Sequence, residues 1–144
     1  MTREEFLVYM EAMNNVDHEK MSEFITDDIV LEFYNKPTNE KQTRKIVRGR
    51  DEYLEHFKRT HEKVKEILEL GFFLYDGTNM IVEIYVEFHP YEDVILNTAE
   101  LKKGQAYCAT HWLCYDFAPD GRFNRIRIAH HLAHDGPPKH HPDI

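Results

Sequence analysis

Two β-like runs around a Pro/Asp/Gly turn constrain this chain more than any other feature. Residues 105–131 read QAYCATHWLCYDFAPDGRFNRIRIAHH, with Ala118-Pro119-Asp120-Gly121 between the runs, so the stretch predicts a long β-hairpin. Side chains alternate across a strand. In the first run Tyr107, Ala109, His111, Leu113 and Tyr115 share one face, and Cys108, Thr110, Trp112, Cys114 and Asp116 share the other. In the second, Ile126, Ile128 and His130 oppose Arg125, Arg127, Ala129 and His131. The more apolar face of each strand therefore carries one histidine. Such a histidine is either a satisfied core residue or part of a cavity that does chemistry.

The chain's totals narrow the choice. With 144 residues it is one domain, long enough for a real core. Its 18 Lys and Arg are outnumbered by 26 Asp and Glu, and a net charge of −8 argues against a nucleic-acid surface. The basic run Lys41–Arg50 reads as a solvated loop and strand edge. No apolar run is long enough to span a membrane and the first residues lack a signal-peptide pattern, so the expected location is the cytoplasm. Cys108 and Cys114 lie six apart on one strand, about 20 Å by strand rise, and cannot bridge each other. They form no zinc-ligand spacing, and neither a metal site nor a cofactor is expected. Residues 134–144, rich in His and Pro, read as an extended, disordered tail beyond a domain of residues 1–133.

Taken in order, Thr2 and Glu5 have capping-box spacing, and Phe6, Tyr9, Met10 and Met13 follow with helical period. Asp17 caps a second helix, His18–Ile25, that buries Met21, Phe24 and Ile25. Ile29–Tyr34 is a strand, Pro37–Lys45 a polar loop, and Ile46-Val47 a short strand ending at Gly49. Asp51–His61 is a helix with Tyr53, Leu54 and Phe57 on one side. A strand within Val64–Tyr75 turns at Asp76-Gly77 into Met80–His89, whose inner face is Met80, Val82, Ile84, Val86 and Phe88. Pro90–Leu101 is a loop, and the hairpin follows. Helices at the front and strands behind predict an α+β cone, a curved antiparallel sheet wrapped over three helices, with a ligand pocket at its mouth.

The segments FLVYMEAMNNVDHEKMSEFITDDIVLEF, VRGRDEYLEHF and YDFAPDGRFNRIR, in this order and spacing, resemble the nuclear transport factor 2-like superfamily. That superfamily includes ketosteroid isomerases, SnoaL-like polyketide cyclases and scytalone dehydratases. The resemblance covers residues 2–131 and implies the cone fold; the same cone also hosts non-catalytic binders. Against the ketosteroid isomerase pattern, the helix-1 tyrosine falls on Tyr9, but the general-base aspartate falls on Phe33 and the oxyanion-hole aspartate on Leu113. The scytalone dehydratase pattern fits better. Its Asp–His dyad falls on Asp17 and His61, its strand-end histidine on His89, and its His-Trp pair on His111 and Trp112. Its strand-1 tyrosine falls on Phe33, with Tyr34 adjacent, and its asparagine on Ala109.

The resemblance implies a cofactor-independent lyase, isomerase or cyclase acting on a hydrophobic polyketide-, terpenoid- or aromatic-type molecule. Asp17 would orient His61 as the general acid–base, and His111, His130 or Tyr34 would polarise a carbonyl or assist a leaving group. Tyr9, Phe33, Phe57, His89, Tyr107, Leu113, Tyr115 and Ile128 would bind the substrate. Plainer readings stand beside these. Asp17 is a preferred N-cap, His61 suits a helix C-terminus, and His89 faces outward unless a bulge turns it. His56 reads as solvent-facing or at a pocket edge. A non-catalytic binder would show no histidine–carboxylate pair within hydrogen-bond reach. An epoxide hydrolase would need an Asp–Arg–Asp cluster that cannot be placed. Trp112, Cys108 and Cys114 on the outer sheet face predict a homodimer through that face.

Overall fold

The computed structural model describes residues 1–34, 44–96 and 99–144. The N-terminal element, α1 (Arg3–Asn14), begins at the expected capping box: Thr2 accepts from the Glu5 N–H and Glu5 reaches back to the Thr2 N–H. It is followed by α2 (His18–Ser22), β1 (Ile25–Tyr34), β2 (Arg44–Arg48), α3 (Arg50–Lys63) and β3 (Val64–Tyr75). Then come β4 (Met80–Pro90), β5 (Val94–Leu96), β6 (Ala99–Leu101), β7 (Tyr107–Phe117) and β8 (Phe123–Ala133). Six strands form one sheet in the order β2-β1-β8-β7-β4-β3, and the helices pack on its inner face.

The main elements fall where the sequence puts them, with four differences. The second helix stops at Ser22 rather than Ile25, because Ile25 already pairs with Phe123 in the sheet. The first strand therefore starts at Ile25, and it runs parallel to β8 while the other pairings are antiparallel. The stretch Pro90–Leu101 holds a small hairpin, β5 with β6, in place of a loop. Most of the polar loop predicted over Pro37–Lys45 lies outside the described residues.

The fourth difference is the tail. It is extended, as expected, but ordered: it lies back across the outer face of the sheet. The His134 N–H donates to the Cys108 carbonyl at 2.9 Å, and the Lys139 N–H donates to Glu87 at 2.7 Å. Glu69 takes both the Lys139 ammonium and the His140 ring. Glu87 is 0% exposed under this strap. Its pKa still lies below the usual carboxylate range. Burial pushes it up, but bonds from Tyr85, His89 and two tail N–H groups outweigh that.

The core lies between α1 and the sheet. Phe6, Tyr9, Tyr115 and Phe123 are almost wholly buried and meet edge to face or tilted, Tyr115 and Phe123 at 4.6 Å. Each such ring removed from water contributes about 1.5–3 kcal/mol. The open edge of β3 is covered by side chains of α1. Asn14 donates to the Leu68 carbonyl and accepts from the Leu68 N–H, as a neighbouring strand would, and Arg3 donates to the Gly71 carbonyl. At Gly71 the β3–β4 register shifts, and an added Cβ would stand 3.1 Å from the Glu83 carbonyl oxygen.

Candidate active site

The concave face of the sheet and the helices enclose a pocket of about 740 Å³, counted to its open mouth. Four residues of α1 (Phe6, Tyr9, Met10, Met13) form its floor, and His56, Phe57 and Thr60 of α3 form one wall. The sheet supplies Phe33, Leu68, Ile84, Val86, Phe88, Leu113, Tyr115 and Ile128. The lining is apolar apart from a few placed polar groups, which is the composition of a small-molecule site.

The most consequential polar group is Glu66, which is 8% exposed and opens on the pocket. It sits on β3 opposite Phe88, an inward position, at the point where α3 ends and the chain turns into the sheet. His61, on the last turn of α3, places Nε2 3.3 Å from Glu66 Oε1. The other ring nitrogen of His61, Nδ1, lies 2.9 Å from Nε2 of His18 at the start of α2. A chain of side chains thus runs from the surface of α2 to the pocket wall. Beside it the hydroxyls of Tyr9 and Tyr53 are hydrogen-bonded to each other. Burial, their mutual contact and the nearby Glu66 push the Tyr9 phenol well up, so it remains protonated at neutral pH.

Across the pocket, His111 of β7 faces His130 of β8, ring centroids 4.3 Å apart. His111 is 9% exposed, and its Nε2 has no hydrogen-bond partner among the described residues. Burial, then the neighbouring His130, lowers its pKa to about 3, and burial lowers that of His130. On the α3 wall, burial and the nearby Lys45, Arg59 and His61 take His56 to about 4. These three imidazoles are therefore neutral at pH 7, each carrying one N–H and one lone pair, and on His56 the Nδ1 lone pair faces the Lys45 ammonium at 3.4 Å.

Of the residues predicted from sequence, His111, His130, Tyr9, Phe33, Phe57, Leu113, Tyr115 and Ile128 line the pocket. The others are placed elsewhere. The Asp17 carboxylate accepts from the Lys20 N–H and caps α2, and no hydrogen bond joins it to His61 among the described residues. The contact expected between Asp17 and His61 is thus not made: the helix cap holds the aspartate, and His61 meets Glu66 instead. Tyr34 points away from the pocket: it is two residues from Glu32 on the outer face and donates to it, beside Arg125. His89 also faces outward and bonds Glu87 at 2.7 Å, since β4 keeps regular register there and has no bulge to turn it. Tyr107 shares the inner face with its cross-strand partner Phe88 but lies beyond the lining residues. His56, read as solvent-facing or at an edge, lines the pocket.

Glu66 and His18 escaped the sequence reading. A signal for Glu66 was present: Val64, Glu66, Leu68 and Leu70 alternate, so the glutamate occupies an inward position of an otherwise apolar face. None existed for His18, whose role depends on how α2 packs against α3. Among the described residues no three His, Cys, Asp or Glu side chains converge as metal ligands. No arginine or aspartate occurs among the described pocket-lining residues, so the cluster an epoxide hydrolase would need is not found there. Among the described residues no helix is long and apolar enough to cross a membrane. On the outer face Trp112 stacks on His131 at 3.7 Å and donates to Glu83. That face is not an apolar stripe, because Glu32, Arg125, Asp116 and Arg127 form ion pairs across it.

The fold is shared with several solved structures. A candidate polyketide cyclase from Xanthomonas campestris pv. campestris is 21% identical, with a TM-score of 0.66 over 88% of this chain and 87% of that one. A SnoaL-like polyketide cyclase from Agrobacterium tumefaciens is 14% identical, with a TM-score of 0.65 over 85% of both chains. An epoxide hydrolase from Mycobacterium tuberculosis, of the type called LEH-like, is 13% identical, with a TM-score of 0.59 over 88% of this chain and 79% of that one. At these identities the likeness carries the fold alone. No protein of curated function matches the sequence. The SnoaL-like domain matches residues 7–126, most of the chain from α1 into β8. With that match and the cone around its pocket, this chain belongs to the SnoaL-like domain family.

Proposed function

We propose that the protein is a small-molecule enzyme that performs proton-transfer chemistry, an elimination, isomerisation or cyclisation, on a hydrophobic oxygenated substrate of polyketide, terpenoid or aromatic type. One observation carries this reading: a buried carboxylate, Glu66, opens on an otherwise apolar pocket and is held by His61. With water excluded, a carboxylate is poised to take a proton from carbon next to a carbonyl. His111, with its free Nε2 on the facing wall, would donate to the oxygen on which negative charge develops. The proton held by Glu66 then returns to a different carbon or leaves with the departing oxygen. His61 plays toward Glu66 the orienting part that the aspartate was expected to play toward His61. Such proton transfers need no cofactor. A non-catalytic binder would lack a histidine–carboxylate pair at the pocket wall, so the His61–Glu66 contact favours the enzyme. We place the enzyme in the cytoplasm, in keeping with its two unpaired cysteines, and as a homodimer through the Trp112 side of the sheet, where Trp112 and Leu132 leave apolar surface.

The test uses 5-nitrobenzisoxazole, an apolar probe whose ring opens to a coloured cyanophenolate when a base removes its C–H proton and the N–O bond breaks. The expected result is turnover well above that of free acetate, lowered about 100-fold or more in Glu66→Gln. Turnover no faster than acetate, or a Glu66→Gln variant as active as wild type, would overturn the proposal.

A further inference from the structure

Resting on the reading of the pocket as a substrate site, we propose that its rim between β2 and α3 is an anion subsite. The substrate is then an apolar molecule that ends in a carboxylate, held by Lys45 and His56 in the positive field of Arg59 and Lys63. Lys45 pairs with Phe33 across the β1–β2 ladder. Directly paired residues share a face of the sheet, so Lys45 stands on the inner side beside a ring that lines the pocket. From there its Nζ reaches His56 Nδ1 at 3.4 Å, where Phe33 packs on His56 with ring centroids 4.9 Å apart. On α3, Arg59 and Lys63 come three and seven residues after His56, so the three share one side of the helix, next to the wall formed by Phe57 and Thr60.

The groups gathered at this rim are donors. The Lys45 ammonium faces the Nδ1 lone pair of His56, so the neutral ring carries its proton on Nε2. That N–H has no partner among the described residues, and its ring lines the pocket. Burial, then the nearby Arg59 and Lys63, lowers the pKa of Lys45, so the charges acting on it are positive. The carboxylates of α3 do not offset them. Glu52 accepts from the Arg48 N–H at 2.9 Å, Glu55 pairs with Arg59 at 3.5 Å, and Glu62 lies roughly a third of a turn round the helix from His56. In a chain of net charge −8, this rim is left short of an anion. A carboxylate supplies acceptor oxygens for Lys45 and for His56 Nε2–H, and such charge-assisted bonds are the strong ones. The same charges set the direction of entry. Glu66, deeper in the wall, repels a carboxylate, so the apolar end goes in first and the acid stays at the rim.

The experiment measures the binding of 2-naphthylacetate and of its neutral amide, 2-naphthylacetamide, by isothermal titration calorimetry at pH 7. The two have the same shape and differ in charge. The wild-type protein binds the acid about tenfold or more tightly than the amide. In Lys45→Met and Lys45→Gln the acid falls to the affinity of the amide, while the amide keeps its own, which also shows that the pocket is intact. Raising the salt weakens the acid and leaves the amide unchanged. An acid bound no more tightly than the amide by the wild-type protein, a preference that survives both substitutions, or equal weakening of the two ligands would overturn the subsite. The measurement involves no proton transfer, so it is separate from the test of Glu66. A Glu66→Gln variant as active as wild type would overturn the enzyme and leave this preference standing, whereas loss of the preference with Glu66→Gln inactive would overturn the subsite alone.

Discussion

His61 Nε2 stands 3.3 Å from Glu66 Oε1 across the junction between a helix and a strand. The two residues are five apart in sequence, yet neither a helical nor a strand period would pair them. The pairing exists because α3 ends at Lys63 and Val64 is already extended, with φ −140° and ψ 151°. The chain turns at that point, and the last helical turn and the first inward strand positions converge on one spot. The same junction gives the carboxylate its burial and its partner, so the site depends on where α3 stops.

The buried imidazole of His111 should make the protein acid-sensitive. Its folded pKa of about 3 lies below the unfolded value of about 6.5, so the unfolded chain binds more protons between these values. Stability is therefore complete above pH 6.5 and falls as the pH drops from there toward 3. Between pH 7 and pH 5 this residue alone should cost about 2 kcal/mol. Urea unfolding at both pH values should show His111→Leu losing that much less than wild type on acidification; an equal loss would refute the assignment.

Glu87 holds the C-terminal strap. It takes bonds from the Tyr85 hydroxyl, the His89 ring and the backbone N–H groups of Lys139 and His140. In Glu87→Ala all four donors lose their partner, at a cost of about 3 kcal/mol. Hydrogen exchange should find the Lys139 and His140 amides protected in the wild-type protein and unprotected in the variant, with the β7–β8 hairpin still protected. Unchanged protection at Lys139 would show that the strap is held by other contacts.

Val16 carries a φ of +56°, a conformation that a β-branched residue adopts at a cost, in the turn joining α1 to α2. It is 42% exposed, so little packing offsets the strain. Val16→Gly or Val16→Asn should raise stability by about 1 kcal/mol, visible as a higher Tm in thermal melts. A lower Tm in both would mean that the valine side chain contributes more than its backbone costs. The turn also sets the position of His18, two residues on.

Much of the architecture was legible because it is written in local periods. The Thr2–Glu5 capping box, the inner face of β4 and the β7–β8 hairpin around Pro119-Asp120-Gly121 each follow from spacing within one element. Alternation also put His111, Leu113 and Tyr115 on the pocket face and Trp112 on the other. Where local rules competed, the sequence could not arbitrate. Asp17 suited both a helix cap and a dyad, and the cap took it. Ile25 suited the end of a helix as well as a strand, and pairing with Phe123 decided for the strand.

By itself, then, the sequence determined the main elements, their order and which residues of a strand share a face, since backbone geometry imposes those periods on every residue. Which of those faces lines the pocket, and with it the place of His111 and His130 on the back wall, was decided by how the sheet folds over the helices. The partnership of His18, His61 and Glu66 was decided by the tertiary structure alone. It requires α2 to lie against the end of α3, α3 to stop beside an inward-facing strand position, and a strand to carry a glutamate on its apolar face. No period links those three residues, because each belongs to a different element and their distances arise from packing.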